Sequence, residues 1–292
     1  MAETAGTRDK ETIGVVGAGT MGTGVAHLFA AAGHEVVLVD TAEAALEKSR
    51  GLIERNVAFY PLVDASLPRL DPAEVTGRIV FSADHGDLKT SDFVVENVTE
   101  KRELKEELYP LLDEICPPHC VFGVNTSAVS ITRLAGRTGR ADRVIGTHVM
   151  NPAPLKPLVE VIRGTHTSAA TVERTQALFR SAGRDSIVVN DAPGFVTNRV
   201  MMLTVNEAIF LLHEGVADSA ADVDRLFKDC FGHRMGPLAT ADLIGLDTVL
   251  LSLEVIHDSL RDSKYRPCPL LTRLVDAGLH GVKTGRGFYA YD

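Results

Sequence analysis

The side chains best suited to acid–base chemistry lie in two neighbouring apolar segments. His148 lies near the end of the segment RVIGTHV, and Glu160 lies within the next one, LVEVI. A neutral imidazole can take the proton of a hydroxyl group near neutral pH, as the departure of a hydride from a carbinol carbon requires. A nearby carboxylate would hold the imidazole in one tautomer and stabilise the imidazolium that forms. A histidine in such a position is also often a structural hydrogen-bonding group, so both interpretations stay open.

Three further polar residues, Asn125, Ser127 and Asn151, also lie at or near the ends of apolar segments in this part of the chain. In open α/β sheets, ligands bind just beyond the carboxyl ends of the strands. We therefore expect these side chains and His148 to share one edge of a sheet.

A glycine-rich segment follows the apolar run TIGVV and opens an alanine-rich helical stretch. It reads Gly17-Ala18-Gly19-Thr20-Met21-Gly22. The first glycine permits a tight turn, the second lets the backbone approach a pyrophosphate, and the third lets helix and strand pack closely. Asp40 ends the second apolar run, 18 residues after Gly22, where a carboxylate accepts from ribose hydroxyls and repels a 2′-phosphate. The pattern predicts that Gly17, Gly19, Thr20, Met21, Gly22 and Asp40 bind NAD rather than NADP.

The elements around these residues alternate between short apolar runs and amphipathic stretches, which indicates βαβ units and a mainly parallel sheet. Eight strands are predicted, at residues 12–17, 35–40, 78–82, 93–98, 121–126, 143–149, 158–162 and 186–190. After Pro193 the apolar spacing becomes helical, beginning with a long helix over 194–215. The sequence predicts an α/β Rossmann-type domain over residues 1–190 and a smaller all-α domain over residues 191–292.

Composition excludes several classes of function. A formal net charge of -9 weighs against nucleic-acid binding, which depends on many Lys or Arg contacts to phosphates. No apolar run is long enough to span a bilayer, so we expect no membrane contact. Four scattered cysteines form no metal-ligand pattern and no disulfide framework. The first dozen residues are polar and carry both charge signs, unlike a targeting segment, which favours a cytoplasmic protein.

Several motifs together resemble the 3-hydroxyacyl-CoA dehydrogenase family. They are the glycine loop with Asp40, NTSA (125–128), RVIGTHVMNPAPLKPLVEVI (143–162), DAPGFVTNRV (191–200) and KTGRGFY (283–289). The resemblance spans nearly the whole chain. It implies NAD-dependent oxidation of a 3-hydroxyacyl thioester to the 3-oxoacyl thioester, or the reverse, in an enzyme like 3-hydroxybutyryl-CoA dehydrogenase.

The resemblance also implies roles for individual residues. His148 would be the catalytic base, oriented by Glu160, while Ser127 and Asn198 would hydrogen-bond the substrate oxygens. The residues that would contact the cofactor are Glu100, Lys105, Ser127, Asn151 and Lys283. Without the resemblance, the simplest interpretation places Glu100 and Lys105 on an ordinary helix face exposed to solvent. A homodimer through the helical domain is implied as well, with burial against a second copy expected for Phe210, Leu211, Leu212, Leu250 and Leu251.

Two departures from the family pattern bear on the substrate. Val149 and Met150 replace a pair of phenylalanines, which packing alone can explain. The stretch 54–72 lacks the lysines thought to grip coenzyme A, and its prolines, Pro61 and Pro68, are expected to interrupt long helices. One hypothesis accounts for both departures. The acyl group would arrive on an acyl carrier protein rather than on free coenzyme A, as in the synthesis of polyketide extender units. The arginine-rich segment 133–143 would then be a docking patch, although a solvated loop explains it equally simply.

Two alternatives remain. A hydroxy-acid or sugar-acid dehydrogenase of the same superfamily would share the loop and the His–Glu pair but not the thioester. An NAD-binding protein without catalysis would bind the cofactor and show no turnover. Four histidines without a surrounding motif, His27, His34, His85 and His119, are expected at the surface or at helix ends.

Overall fold

The computed structural model describes residues 10–127 and 129–291. The chain divides into two compact units, the first ending at Asp191 and the second beginning at Ala192. Among the described residues, no helix has the length and apolar character that crossing a membrane demands.

The first unit is built on an eight-stranded sheet. Its strands are β1 (Thr12–Val16), β2 (Glu35–Val39), β3 (Ile79–Ser82), β4 (Phe93–Glu96), β5 (Val121–Val124), β6 (Val144–His148), β7 (Leu158–Arg163) and β8 (Asp185–Asn190). All eight predicted strands are confirmed to within two residues at each end. The strand interiors were recognisable because apolar side chains cover both faces, as the fully buried β4 and β5 show.

The strand order is β3-β2-β1-β4-β5-β6-β7-β8. The pairing of β6 with β7 is antiparallel, and the other pairings of the described strands are parallel. The chain direction of the crossovers reverses between β1 and β4, which creates the crevice where such sheets bind ligands.

Helices cover both faces of this sheet. They are α1 (Thr20–Ala31), α2 (Glu43–Val63), α3 (Pro72–Thr76), α4 (Arg102–Ile115), α5 (Ile131–Ala135) and α6 (Ala169–Ser181). The expectation that Pro61 interrupts a long helix is wrong, because α2 runs for 21 residues and contains Pro61 in its last turn. Proline has no N–H, so one helical hydrogen bond is missing in this turn, and the helix ends two residues later. Pro68 lies beyond the helix.

Two histidine predictions are also wrong. His27 is only 5% exposed and its ring stacks on Tyr60, with centroids 5.7 Å apart. Burial lowers the pKa of His27 to about 4, so the ring is neutral at physiological pH. His34 is buried too, and its Nε2 lies 2.9 Å from Ser181 Oγ. Because α1 buries most of its surface, a polar residue within it does not mark a solvent-facing side.

The second unit is helical. It contains α7 (Thr197–His213), α8 (Ala220–Phe231), α9 (Pro237–Ile244), α10 (Leu246–Leu260) and α11 (Pro269–Asp276). Of the apolar residues expected against a second copy, Phe210, Leu212 and Leu250 are partly buried against this unit's own core. Leu251 is 43% exposed.

A buried carboxylate holds the end of the chain onto α9. Asp242, 1% exposed, accepts from the backbone N–H groups of Phe288 and Tyr289, each at 2.9 Å, and from the Tyr291 hydroxyl at 3.0 Å. A Cβ at Gly287 would lie 2.0 Å from Asp242 Oδ1, so only glycine permits this approach. The closing Gly-rich segment is therefore part of the packed structure.

Candidate active site

The glycine loop lies between the end of β1 and the start of α1, and each glycine has its own structural reason. Gly17 has φ of 93°, a conformation that favours glycine. A Cβ at Gly22 would lie 1.7 Å from the Gly17 carbonyl oxygen, so helix and loop could not pack. A Cβ at Gly19 would meet no atom within 4 Å. It would instead project into open space, where a pyrophosphate approaches the start of α1, which holds Thr20 and Met21.

Asp40 fixes this loop from the end of β2. Its Oδ2 accepts from Ala18 N at 2.7 Å, and its Oδ1 accepts from Ala42 N at 2.9 Å. A carboxylate has further lone pairs that can accept from ribose hydroxyls. The guanidinium of Arg50 lies 4.1 Å from the centre of the Phe81 ring, a cation–π contact, rather than pairing with Asp40. The residues present therefore fit NAD and disfavour a 2′-phosphate.

His148 and Glu160 are direct partners in the antiparallel pairing of β6 with β7. His148 Nδ1 lies 2.9 Å from Glu160 Oε2, and both side chains are 6% exposed. A carboxylate can only accept here, so the neutral ring carries its proton on Nδ1 and can take another on Nε2. The geometry is that of a base held in one tautomer.

Ser127 follows β5 and reaches the same imidazole. Its Oγ lies 3.2 Å from His148 Nε2. The hydroxyl thus marks the side of the ring on which a substrate oxygen must sit to exchange a proton. These three residues lie at the carboxyl edge of β5 and β6, in the crevice that strand order predicts for ligands.

Glu100 and Lys105 occupy different environments. Glu100, with a side chain 30% exposed, accepts from Ser127 N at 2.8 Å and from the Thr126 hydroxyl. Lys105 is fully buried in α4, where its Nζ lies 2.8 and 2.9 Å from the two carboxylate oxygens of Glu96. Lys105 thus lies beneath the loop that carries Glu100, rather than on a solvated helix face.

Glu96 was missed in the sequence. Burial raises its pKa, whereas Lys105 beside it favours the charged carboxylate. Its Oε1 also accepts from Val98 N at 2.7 Å, which fixes the turn after β4. One feature of the sequence could have indicated Glu96. It is a charged residue at the end of an otherwise apolar strand, and a lysine follows nine positions later.

Asn125 connects the ends of three strands. Its Nδ2 donates to Asn97 Oδ1 at 2.6 Å, beyond β4, and its Oδ1 accepts from Val149 N at 3.2 Å, just after His148. The side chain therefore ties the strand of His148 to the loop that leads to Glu100.

Other predicted site residues lie farther along the chain. Asn151 is exposed just after β6. Asn198 lies in the first turn of α7, within the second unit. Lys283 Nζ donates to Asp247 Oδ2 at 2.6 Å, also within the second unit.

The arginine-rich segment 133–143 is largely engaged in internal contacts. Arg140, 7% exposed, donates to Asp113 Oδ1 at 2.5 Å and to backbone carbonyls at the end of α4. Arg137 pairs with Glu106, and Arg143 donates to Pro118 O at 2.7 Å. Of these arginines Arg140 is buried, whereas the side chains of Arg133 and Arg137 stay more than half exposed.

Comparisons with known proteins agree along the whole chain. A family model described as "3-hydroxyacyl-CoA dehydrogenase, NAD binding domain" matches residues 12–192, and one described as "3-hydroxyacyl-CoA dehydrogenase, C-terminal domain" matches residues 194–291. A probable 3-hydroxybutyryl-CoA dehydrogenase of Bacillus subtilis is 44% identical over 282 residues, covering 95% of this chain and 96% of that protein. The 3-hydroxybutyryl-CoA dehydrogenase of Bradyrhizobium diazoefficiens is 43% identical over 279 residues, covering 96% of this chain and 94% of that protein. The crystal structure of (S)-3-hydroxybutyryl-CoA dehydrogenase from Ralstonia eutropha superimposes with a TM-score of 0.90 at 42% identity, covering 97% of this chain and 99% of the other.

Proposed function

Since the chain belongs to the 3-hydroxyacyl-CoA dehydrogenase family, we propose that His148, Glu160 and Ser127 form the acid–base centre of its reaction. The enzyme is an NAD-dependent oxidoreductase that interconverts a 3-hydroxyacyl-CoA and the 3-oxoacyl-CoA. The preferred substrate in this proposal is a short acyl chain such as 3-hydroxybutyryl, the substrate in the names of the relatives.

NAD, when bound, supplies the acceptor for the hydride that leaves the substrate's carbinol carbon. The proton of the same hydroxyl goes to His148 Nε2, and the carboxylate of Glu160 stabilises the imidazolium from the opposite side of the ring. Ser127 donates a hydrogen bond to the substrate oxygen and keeps it near Nε2. In the reverse direction the imidazolium returns the proton to the forming alkoxide. The buried contact of 2.9 Å between His148 and Glu160 is the observation that carries this proposal.

The remaining predicted roles complete it. Asn198 would bind the substrate oxygen together with Ser127, while Glu100, Asn151 and Lys283 would face the cofactor. Lys105 would support Glu100 from beneath. The first unit would bind NAD, and the second would supply part of the substrate cleft and the dimer interface.

The test is NADH oxidation with acetoacetyl-CoA by the wild type and by His148→Gln. We expect the variant to lose roughly two to four orders of magnitude in kcat, the range for general acid–base catalysis, while the Kd for NADH stays unchanged. The matched control is His166→Gln, because His166 is exposed and lies outside the site. Near-normal turnover by His148→Gln would remove this residue from the mechanism.

An acyl group on a carrier protein is a second candidate substrate, and α2 favours it. The phosphates of coenzyme A would need cationic side chains to bind them. Helix α2 instead exposes apolar side chains, with exposed fractions of 52% for Phe59, 72% for Leu62 and 58% for Val63. Apolar side chains suit a protein surface better than nucleotide phosphates. The same acetoacetyl group should be offered on coenzyme A and on a carrier protein, to the wild type and to Leu62→Gln, which removes the apolar side chain without adding a charge. Carrier docking predicts a higher KM for the carrier substrate alone in the variant. Equal changes in both KM values would exclude docking at α2.

A homodimer and a cytoplasmic location are further proposals. The second unit exposes large apolar side chains suited to burial against another copy, namely Val200, Leu226, Phe231, Met235, Leu243 and Leu251. Light scattering should give twice the chain mass of 31.4 kDa, and a monomer mass at all concentrations would contradict this. The four cysteines are free thiols, one of them the exposed Cys230, as a reducing compartment allows.

A further inference from the structure

Two carboxylates and one ammonium are gathered just beyond β4. Lys105 Nζ lies 2.8 and 2.9 Å from the oxygens of Glu96, but 3.6 Å from Glu100 Oε2. Glu96 is 1% exposed and Lys105 is fully buried. The charge of Lys105 is therefore shared unequally and is neutralised mainly by Glu96.

Besides its 3.6 Å contact with Lys105, Glu100 accepts hydrogen bonds from two uncharged donors. Its Oε1 accepts from the backbone N–H of Ser127 at 2.8 Å and from the Thr126 hydroxyl. Lys101, the next residue, is exposed, so water and salt screen its charge. Arg102 pairs with Glu103 at 2.9 Å. The contacts fix a carboxylate at the point where the loop after β4 meets the loop after β5.

This point lies where the nicotinamide half of the cofactor would bind. Asp40, at the end of β2, belongs to the adenosine half, and a dinucleotide crosses to β4 and β5 at the reversal of strand order. Ser127 contacts both Glu100 and His148, through its backbone N–H and its hydroxyl respectively. Because hydride and proton leave the same carbinol group, the nicotinamide must approach the place where Ser127 and His148 meet. This placement rests on the function proposed above.

We propose that Glu100 determines the redox-state specificity of the site: its carboxylate makes the enzyme bind NAD⁺ more tightly, relative to NADH, than an uncharged side chain would. The nicotinamide ring is cationic when oxidised and neutral when reduced, so a fixed negative charge acts on the two forms differently. The same carboxylate would assist departure of NADH after hydroxyl oxidation.

Glu100→Gln isolates the charge. The amide oxygen can still accept from Ser127 N and Thr126, so the hydrogen bonds survive while one negative charge is lost. We expect the ratio Kd(NAD⁺)/Kd(NADH) to rise roughly tenfold, the order expected for one unit charge at a partly buried site. Glu100→Asp keeps the charge and should leave the ratio within about twofold of wild type. Glu103→Gln removes the same charge from an exposed position and should leave it unchanged.

The measurement is equilibrium binding without substrate, by nicotinamide fluorescence for NADH and by competition for NAD⁺. If Glu100→Gln weakens both forms equally, or if Glu100→Asp shifts the ratio as much as Glu100→Gln does, the inference is overturned. Should Glu100→Gln fail to fold, Glu100→Ala removes the same charge and must also raise the ratio; an unchanged or lower ratio would overturn the inference as well. Failure of the proposed function looks different, because the wild type would then not oxidise NADH with acetoacetyl-CoA at all.

Discussion

Replacing Glu160 with glutamine tests the charge beside His148, the proposed catalytic base. The amide oxygen can accept from His148 Nδ1 over the same 2.9 Å, so the ring keeps its tautomer and orientation. What disappears is the attraction between the carboxylate and the imidazolium. Both side chains are 6% exposed, so solvent screens this attraction little.

The size of the effect follows from Coulomb's law. Two unit charges about 4 Å apart attract by about 4 kcal/mol at an effective dielectric near 20, and by about half of this if the proton is half transferred. The expected loss in kcat is therefore roughly 30- to 1000-fold. NAD binding should not change, because Glu160 lies behind the imidazole.

The assay is steady-state turnover with NAD and with NADH, in both directions of the reaction. Glu173→Gln, an exposed change of the same kind on α6, is the control. A kcat within about threefold of wild type would refute the assigned role of the Glu160 charge.

Two other predictions concern cofactor binding and stability. Gly22→Ala should abolish NADH binding measured by fluorescence, because the new Cβ would lie 1.7 Å from the Gly17 carbonyl oxygen. Gly51→Ala on α2, whose Cβ would meet nothing within 4 Å, should bind normally, and equal affinities would refute the packing argument. Burial and the hydrogen bond to Asp242 raise the pKa of Tyr291 to about 12, so the folded state favours the neutral phenol and loses stability as pH rises from about 10 to that value. Tyr291→Phe should lose less stability between pH 9 and 11 in urea unfolding than the wild type, and parallel losses would contradict this.

The sheet was predictable from sequence because its strands obey a local rule. Residues such as Val94 and Val121 are buried on whichever face they point to, so the strands read as continuous apolar runs. The predicted ends overran at Asn97 and Asn125, whose backbone N–H groups still donate to the neighbouring strands and whose side chains bond to each other. Hydrogen-bond partners of this kind are not visible in a periodic pattern.

The candidate site was predictable only in part. His148 and Glu160 lie within recognisable motifs, whereas no motif marks Glu96 and Lys105, whose bond joins a strand end to a helix. The second unit was harder to predict for a related reason. Helix α7 is largely apolar, so periodicity could not tell that Phe210 packs against the unit's own core while Leu251 on α10 is 43% exposed.

The antiparallel pairing of β6 with β7 places His148 opposite Glu160, on the two strands that residues 149–157 connect. Both residues therefore belong to one contiguous stretch of chain, and no crossover helix is needed to bring them together. Side chains alternate faces along a strand, and a slip of one residue would turn Glu160 to the opposite face. Within the connection, residues 149–157, Val149 and Ala153 are buried in the core, whereas Lys156 and Pro157 are exposed. Sequence change in this connection is therefore tolerated best at its exposed end, where it leaves His148 and Glu160 in register.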